Sequence, residues 1–149
     1  AGDVLEIYAN NLRPNNCDFD LRIYGSTMDA PSVGTPYVVD QYDEVLSLAG
    51  SSSADISTYT VPAGKILYLL LAESGGENIA KFTVSVNSSI IATKRTYFGG
   101  ELYCTFNFAV GDTYGRKLVA GDELSISTTN YRSTASDFEA RFYGILVAE

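Results

Sequence analysis

Carboxylates recur in pairs two residues apart along this sequence. Asp18 and Asp20 form one pair, and Asp137 and Glu139 form another. Residues i and i+2 of an extended strand point to the same face, so both carboxylates of a pair can reach one ligand. Such pairs can bind Ca²⁺ or act as the acid and the base of a hydrolytic reaction.

Other features favour a structural interpretation of these acids. Arg22 and Arg141 follow the two pairs by two residues, so we expect each pair to lie on a polar strand face with a neutralising arginine beside it. A further group, Asp40, Asp43 and Glu44, lacks the glycine and the spacing of an EF-hand loop. The sequence contains no histidine, the commonest general base and zinc ligand. We therefore expect no catalytic residue, no metal site and no cofactor, and hence no enzyme.

One short segment combines basic and aromatic side chains, namely Lys94, Arg95, Tyr97 and Phe98 before a glycine turn. Such side chains can stack on sugars or bases, or contact an acidic protein surface. The formal net charge of the whole chain is −8, so a basic strip is unusual here. We predict that this strip binds a partner; the alternative is an exposed strand end with Phe98 packed beneath the turn.

The composition restricts the class of protein. Of the 149 residues, 46% are hydrophobic, which suits a globular domain with a core. The negative charge argues against nucleic acid as a partner, because phosphate contacts require clustered lysine and arginine. No apolar run approaches the roughly 18 residues of a membrane helix, so no membrane partner is expected. Cys17 and Cys104 match no metal motif; Cys104 is interpreted as a small buried hydrophobe, and a Cys17–Cys104 disulfide is the alternative.

Tyrosine is frequent, with eleven copies beside no tryptophan. Tyrosine is enriched at interfaces because it offers a large amphipathic area at a small entropic cost. The outward phase predicted for Tyr24, Tyr103 and Tyr143 suits contacts between subunits. The strand preference of aromatic residues is an equally simple reason for the same pattern.

Apolar residues alternate with polar ones along most of the chain, which is typical of antiparallel strands with one solvated face. The predicted strands are 4–9, 18–24, 37–39, 43–48, 56–61, 65–72, 80–86, 90–97, 101–109, 122–129 and 137–147. The segment 66–71 is apolar on both faces and should form a central strand. Short strands between turns rich in glycine, serine and asparagine predict an all-β protein, an antiparallel β-sandwich or jelly roll.

The first 28 residues repeat near the end of the chain. Residues 1–28 align without a gap with residues 120–147, and twelve positions are identical, namely Ala1, Gly2, Asp3, Leu5, Ile7, Asn11, Arg13, Asp18, Phe19, Arg22, Tyr24 and Gly25. Chance would give about two identities. The pattern predicts an N-terminal hairpin that duplicates a C-terminal hairpin. We expect residues 1–28 to resemble the end of a preceding unit, and residues 29–149 to form the β-sandwich domain.

Three arrangements explain such a duplication: a tandem array of units, one enlarged domain, or exchange of strands between subunits. An isolated two-stranded hairpin is marginal in water and must dock somewhere. All three arrangements favour a protein that works in an assembly.

The phrases TVPAGK, FTVSVNSSIIATKRTYFGG and LVAGDELSIST, followed by DFEARFYGILV, resemble jelly-roll modules of tailed-bacteriophage virion proteins over about residues 56–148. The resemblance implies a non-enzymatic structural protein on the particle surface, as a capsid decoration protein or a tail or fibre component. It also implies a homo-oligomer, with a trimer favoured, whose partners are other virion proteins or copies of itself. The alternative is a carbohydrate-binding or adhesin module that recognises a host surface glycan through Tyr97 and Phe98.

Overall fold

The computed structural model describes residues 37–97, 102–108 and 115–149. Strands are the regular structure of these ranges: β1 (Tyr37–Leu48), β2 (Ser53–Thr60), β3 (Lys65–Gly76), β4 (Ala80–Val86), β5 (Ser89–Arg95), β6 (Tyr103–Asn107), β7 (Arg116–Val119), β8 (Glu123–Asn130) and β9 (Ser136–Ala148). Across the described ranges there is no helix that could cross a bilayer. The predicted strands 4–9 and 18–24 lie outside these ranges.

The strands form two antiparallel sheets packed face to face. The first sheet has the order β1-β9-β3-β6, with the short strand β7 also paired to β3, and the second has the order β2-β8-β4-β5. Contacts between the sheets place β1 opposite β2, β9 opposite β8, β3 opposite β4 and β6 opposite β5. Two facing sheets with this strand order are a jelly roll, so the predicted all-β fold is confirmed.

The core lies between the sheets, where the alternation of β9 shows why these residues form strands. Phe138, Ala140 and Phe142 are buried between the sheets, whereas Glu139 and Arg141 point outward. The Phe138 ring meets the ring of Phe82 from the opposite sheet edge to face, with centroids 6.0 Å apart. Burying a phenylalanine side chain contributes roughly 1.5–3 kcal/mol, so these rings hold the sheets together.

Several strand ends lie a few residues from the predicted ones, and two whole strands differ from the prediction. The segments 37–39 and 43–48 belong to one continuous strand, because the intervening polar residues Asp40 and Gln41 find partners on β9 and β2. Strand β7 was not predicted, since Leu118 is its single buried residue and the alternation is too short to recognise. The segment 66–71 is confirmed as central, because β3 pairs with β9 on one edge and with β6 and β7 on the other.

The repeated C-terminal segment is an arch and not a hairpin. Strands β8 and β9 lie in opposite sheets, so the predicted hairpin pairing between them is wrong. The fully buried Asn130 organises their connection: its amide donates to the carbonyl oxygens of Leu48 (3.1 Å) and Thr134 (2.9 Å). Its side-chain oxygen accepts from the backbone N–H of Arg132 at 2.9 Å. The arch therefore spans both sheets and carries its own polar anchor.

The Ala-Gly-Asp phrase that opens the arch forms a tight turn. Gly121 has a φ of +86°, which costs little only for glycine. Asp122 accepts the backbone N–H of Val119 at 2.8 Å and the amide of Asn87 at 2.7 Å, and these hydrogen bonds, the first above all, lower the pKa of its carboxyl. Asn87 and Ser88 themselves have φ values of +50° and +64°, the signature of a type I′ hairpin turn between β4 and β5.

Candidate interaction surfaces

The predicted strip begins with a lysine that joins the two sheets. Strand β5 is an edge of the second sheet, and Lys94 Nζ donates to the carbonyl oxygen of Thr105 on β6, in the first sheet. The same ammonium lies 5.6 Å from the centroid of the Phe106 ring. Lys94 therefore ties β5 to β6 along one side of the sandwich, which satisfies part of its charge within the molecule.

The remainder of the strip forms a small aromatic surface. The Arg95 guanidinium stacks over the Tyr131 ring at 5.1 Å, and Tyr97 is 65% exposed. Between them, Thr96 is buried, and its hydroxyl accepts the backbone N–H of Ala80 at 2.9 Å. This anchor turns the neighbouring side chains toward solvent. Phe98 lies outside the described residues, so binding by the strip stays a prediction.

The paired acids of β9 hold the adjacent strand. Asp137 accepts the backbone N–H of Ser47 at 2.7 Å, at the bulge of β1. Glu139 accepts the hydroxyl of Tyr42 at 2.8 Å, and this hydrogen bond above all raises the pKa of Tyr42 to about 12. The two carboxylates are thus attached to different positions of β1 and do not converge on one ligand.

Arg141 does not neutralise these acids, contrary to the prediction. Its guanidinium makes a two-pronged contact with Asp40 of β1, at 2.7 Å and 2.5 Å, and stacks over Tyr143 at 4.8 Å. The hydrogen bonds from Arg141 hold the pKa of Asp40 below its usual value. The partner of Arg141, Asp40, is 101 residues away in the sequence, so the pattern of neighbouring residues could not predict this salt bridge.

The acidic group on β1 is divided between the two faces of the sheet. Asp40 and Glu44 point outward, whereas Asp43 faces β2 and accepts the amide of Gln41 (2.6 Å) and the hydroxyl of Ser57 (2.5 Å). Among the residues described, no three histidine, cysteine or acidic side chains are grouped as metal ligands. Asp18 and Asp20 lie outside those residues.

The outer face of the first sheet carries two shallow depressions, of about 340 and 290 Å³. Tyr103 lines both depressions and is exposed, as predicted. Its ring covers Gly75, where an added Cβ would lie 2.1 Å from a ring carbon. Tyr143 is half-buried beside Arg141. The depressions are open, and their lining combines acids such as Glu139 with apolar atoms, so they offer a mixed surface for a partner.

One side of the sandwich ends in two unshared strands. Within the ranges that the structure describes, β1 has β9 as its neighbour and β2 has β8, so each keeps one edge without a strand. These two edges lie next to each other, one in each sheet, and we call them together the open side. The outer face of β1 there carries Val38 and Leu46, which are 66% and 62% exposed. Exposed apolar residues on an edge strand favour pairing with another chain.

Residues shared by the two repeats form the contacts of the C-terminal arch. Gly121 and Asp122 form its turn, and Asn130 is its polar anchor. Arg141 forms its salt bridge to β1. Its core residues are Leu124, Ile126 and Phe138. Sequence comparison of the two ends was the signal that found them. Cys104 is buried, as predicted, while Cys17 lies outside the described residues and leaves the disulfide untested.

No protein-family profile and no curated protein matches this sequence. Similar solved structures include one described as "Bacillus endospore appendages form a novel family of disulfide-linked pili", with a TM-score of 0.42 and 11% identity over 83% of this chain and 98% of that one. Another is a virus-like particle of the extra small virus of the prawn Macrobrachium rosenbergii, with a TM-score of 0.40 and 12% identity over 97% and 96%. At these TM-scores neither likeness bears on the function of this chain.

Proposed function

We propose that this protein is a non-enzymatic structural subunit that associates with copies of itself. The observation that carries the proposal is the open side, where β1 and β2 both end a sheet and β1 exposes Val38 and Leu46. A single long edge strand is already a template for pairing with another chain. Two of them on one side allow a partner to extend both sheets at once.

The setting that we propose is the surface of a virion, as a capsid decoration protein or a tail or fibre component of a tailed bacteriophage. The support for this finer assignment is the resemblance of the turn-and-strand phrases over about residues 56–148. Jelly rolls serve in viral capsids and in lectins, so the fold alone does not choose between these roles. Other virion proteins are further expected partners, and a trimer is the oligomer favoured by the resemblance.

Sedimentation velocity of the purified full chain over a range of concentrations tests the proposal. We expect species larger than the monomer, whose share rises with concentration, and regular particles or fibres by negative-stain electron microscopy. A chain that stays monomeric at the highest concentration and binds no particle would contradict the structural role.

A second candidate function is the recognition of a cell-surface glycan. The observation that favours it is the exposed Tyr97 beside the stacked pair of Arg95 and Tyr131, because sugars bind to aromatic platforms. A glycan array should then show saturable binding that Tyr97→Ala abolishes. Tyr37→Ala is a matched control, since Tyr37 is 67% exposed on the other side of the sandwich. Equal loss of binding in both variants would refute a site at Tyr97.

A further inference from the structure

The C-terminal arch already shows what binds β1 and β2. Strand β9 pairs antiparallel with β1, and β8 pairs antiparallel with β2, so one continuous segment serves both sheets. Side-chain contacts add to this pairing, with Arg141 on Asp40 and Glu139 on Tyr42. A segment with the chemistry of β8 and β9 is therefore suited to strands β1 and β2.

Residues 1–28 preserve that chemistry. Gly2 and Asp3 correspond to the turn residues of the arch, Asn11 to its polar anchor Asn130, and Arg22 to the salt-bridge residue Arg141. The counterparts of its core residues are Leu5, Ile7 and Phe19. Asp18 and Asp20 stand where the arch has Asp137 and Glu139. Each chain thus has one set of strands β1 to β4 and two segments fit to join it, of which the C-terminal one occupies the centre of both sheets.

We propose that the N-terminal repeat, residues 1–28, of one copy docks on the open side of a neighbouring copy. Its segment 18–24 would pair with the unshared edge of β1, and its segment 4–9 with that of β2, which adds one strand to each sheet. This inference rests on the proposed function, since it names the partner and the surface of the self-association. It would also cover Leu5, Ile7 and Phe19, which correspond to buried residues of the arch.

The length of the connection favours a neighbouring copy over the same chain. Residues 25–36 join the repeat to β1 and include Pro31 and Pro36. A hairpin between adjacent strands usually needs only about 2–5 residues. Twelve extended residues reach about 40 Å, more than the roughly 30 Å width of a domain of this size. The connection is long enough to carry the repeat to another sandwich.

Charge complementarity supports the same occupant. Glu44 points outward on β1, where the Tyr42 hydroxyl approaches it at 3.4 Å and no cation among the described residues lies beside it. Arg22 of the repeat can supply that cation, as Arg141 does for Asp40 on the same strand. Docking at the open side therefore pairs a carboxylate that the described fold leaves without a positive partner.

The predicted contact joins two different surfaces, a repeat on one copy and an open side on the next. Reciprocal exchange of repeats between two copies closes a two-fold dimer, whereas one-way docking closes into a larger ring or continues as a filament. A trimeric ring, as the resemblance implies, and an open fibre are both compatible with this geometry.

Two full-length variants separate the two surfaces. Phe19→Asp disables the repeat, because Phe19 corresponds to the core residue Phe138. The double variant Val38→Glu/Leu46→Glu disables the open side by placing a carboxylate near each end of the outer face of β1, that at Leu46 near the counterparts of Asp137 and Glu139, without touching the core. Ile90→Glu is the matched control, since Ile90 is 69% exposed on β5 at the far side of the sandwich.

Sedimentation velocity should show that each disabled variant raises the dissociation constant of self-association at least 10-fold, while Ile90→Glu does not change it. Mixing Phe19→Asp with the double variant should restore association as a 1:1 dimer that grows no further, because only one working repeat and one working open side remain. Such restoration requires that the repeat and the open side come from different copies.

Three results would overturn the inference. If the wild type assembles and Phe19→Asp has no effect, the protein associates through another surface and only the structural role stands. If the wild type is monomeric and Phe19→Asp lowers its melting temperature, the repeat docks on its own chain. If Ile90→Glu weakens assembly as much as the double variant, added charge and not the open side is responsible.

Discussion

Replacing Asn130 by alanine should destabilise the jelly roll more than any surface change. The fully buried side chain makes three hydrogen bonds within 3.1 Å, to the carbonyl oxygens of Leu48 and Thr134 and the backbone N–H of Arg132. Each is worth about 1 kcal/mol net, and the partners left without a hydrogen bond add to the loss. We expect the free energy of unfolding to fall by about 3–4 kcal/mol, a large part of the roughly 5–15 kcal/mol typical of a domain.

Urea denaturation at 25 °C, followed by tyrosine fluorescence, measures this loss as a lower midpoint with an unchanged slope. Thr128→Val is the matched control, because Thr128 lies two residues earlier on the same buried face of β8. Its hydroxyl has no hydrogen-bond partner among the described residues, so valine should keep or slightly raise stability. If Asn130→Ala loses under 1 kcal/mol, or both variants lose equally, the polar anchor is not what holds the arch.

Three further predictions concern two contacts between β1 and β9 and the turn between β4 and β5. The lowered pKa of Asp40 means that its bond to Arg141 stabilises the fold above the ordinary aspartate pKa and is lost as the pH falls below it. Asp40→Asn should therefore cost up to about 1 kcal/mol in urea titrations at pH 7 and less as the pH falls below the ordinary aspartate pKa, and a cost that does not fall with pH would contradict the pair. The raised pKa of Tyr42 means that its bond to Glu139 is present below pH 10 and is lost as the pH rises through about 12. Burial also raises the pKa of Tyr59, Tyr103 and Tyr143, so ultraviolet titration should show several late phenols in the wild type and fewer in Glu139→Gln. Ser88→Gly should raise stability by about 0.5–1 kcal/mol, since glycine tolerates the φ of +64°, and a lower melting temperature would argue against the type I′ turn.

Local pattern was enough for the fold class. The alternation of Phe138, Ala140 and Phe142 with charged residues fixes which face of β9 is buried, because a period of two leaves no other register. The Ala-Gly-Asp phrase marked a strand start for a physical reason, since Gly121 adopts a positive φ and Asp122 accepts two hydrogen bonds. Such features depend on neighbours within a few residues and can be read from the chain.

Long-range pairing could not be predicted in the same way. The residues near Arg141 and Lys94 in the sequence do not indicate that Asp40 and Thr105 are their partners. The first contact forms only when β9 pairs with β1, and the second only when the two sheets pack together. The arch was mistaken for a hairpin because a strand, a five-residue connection and another strand have the same alternation in both cases. The side chain of Asn130 hydrogen-bonds the connection between the two strands, but its burial there is visible only in the folded protein.

The central position of the C-terminal arch also sets an order on biosynthesis. Strand β9 lies between β1 and β3, and β8 lies between β2 and β4, so neither sheet is continuous until residues 123–148 are in place. During translation, strands β1 to β7 leave the ribosome before the segments that join them. The nascent chain therefore carries unjoined strands for most of its synthesis, and closure of the sandwich must follow translation of the arch.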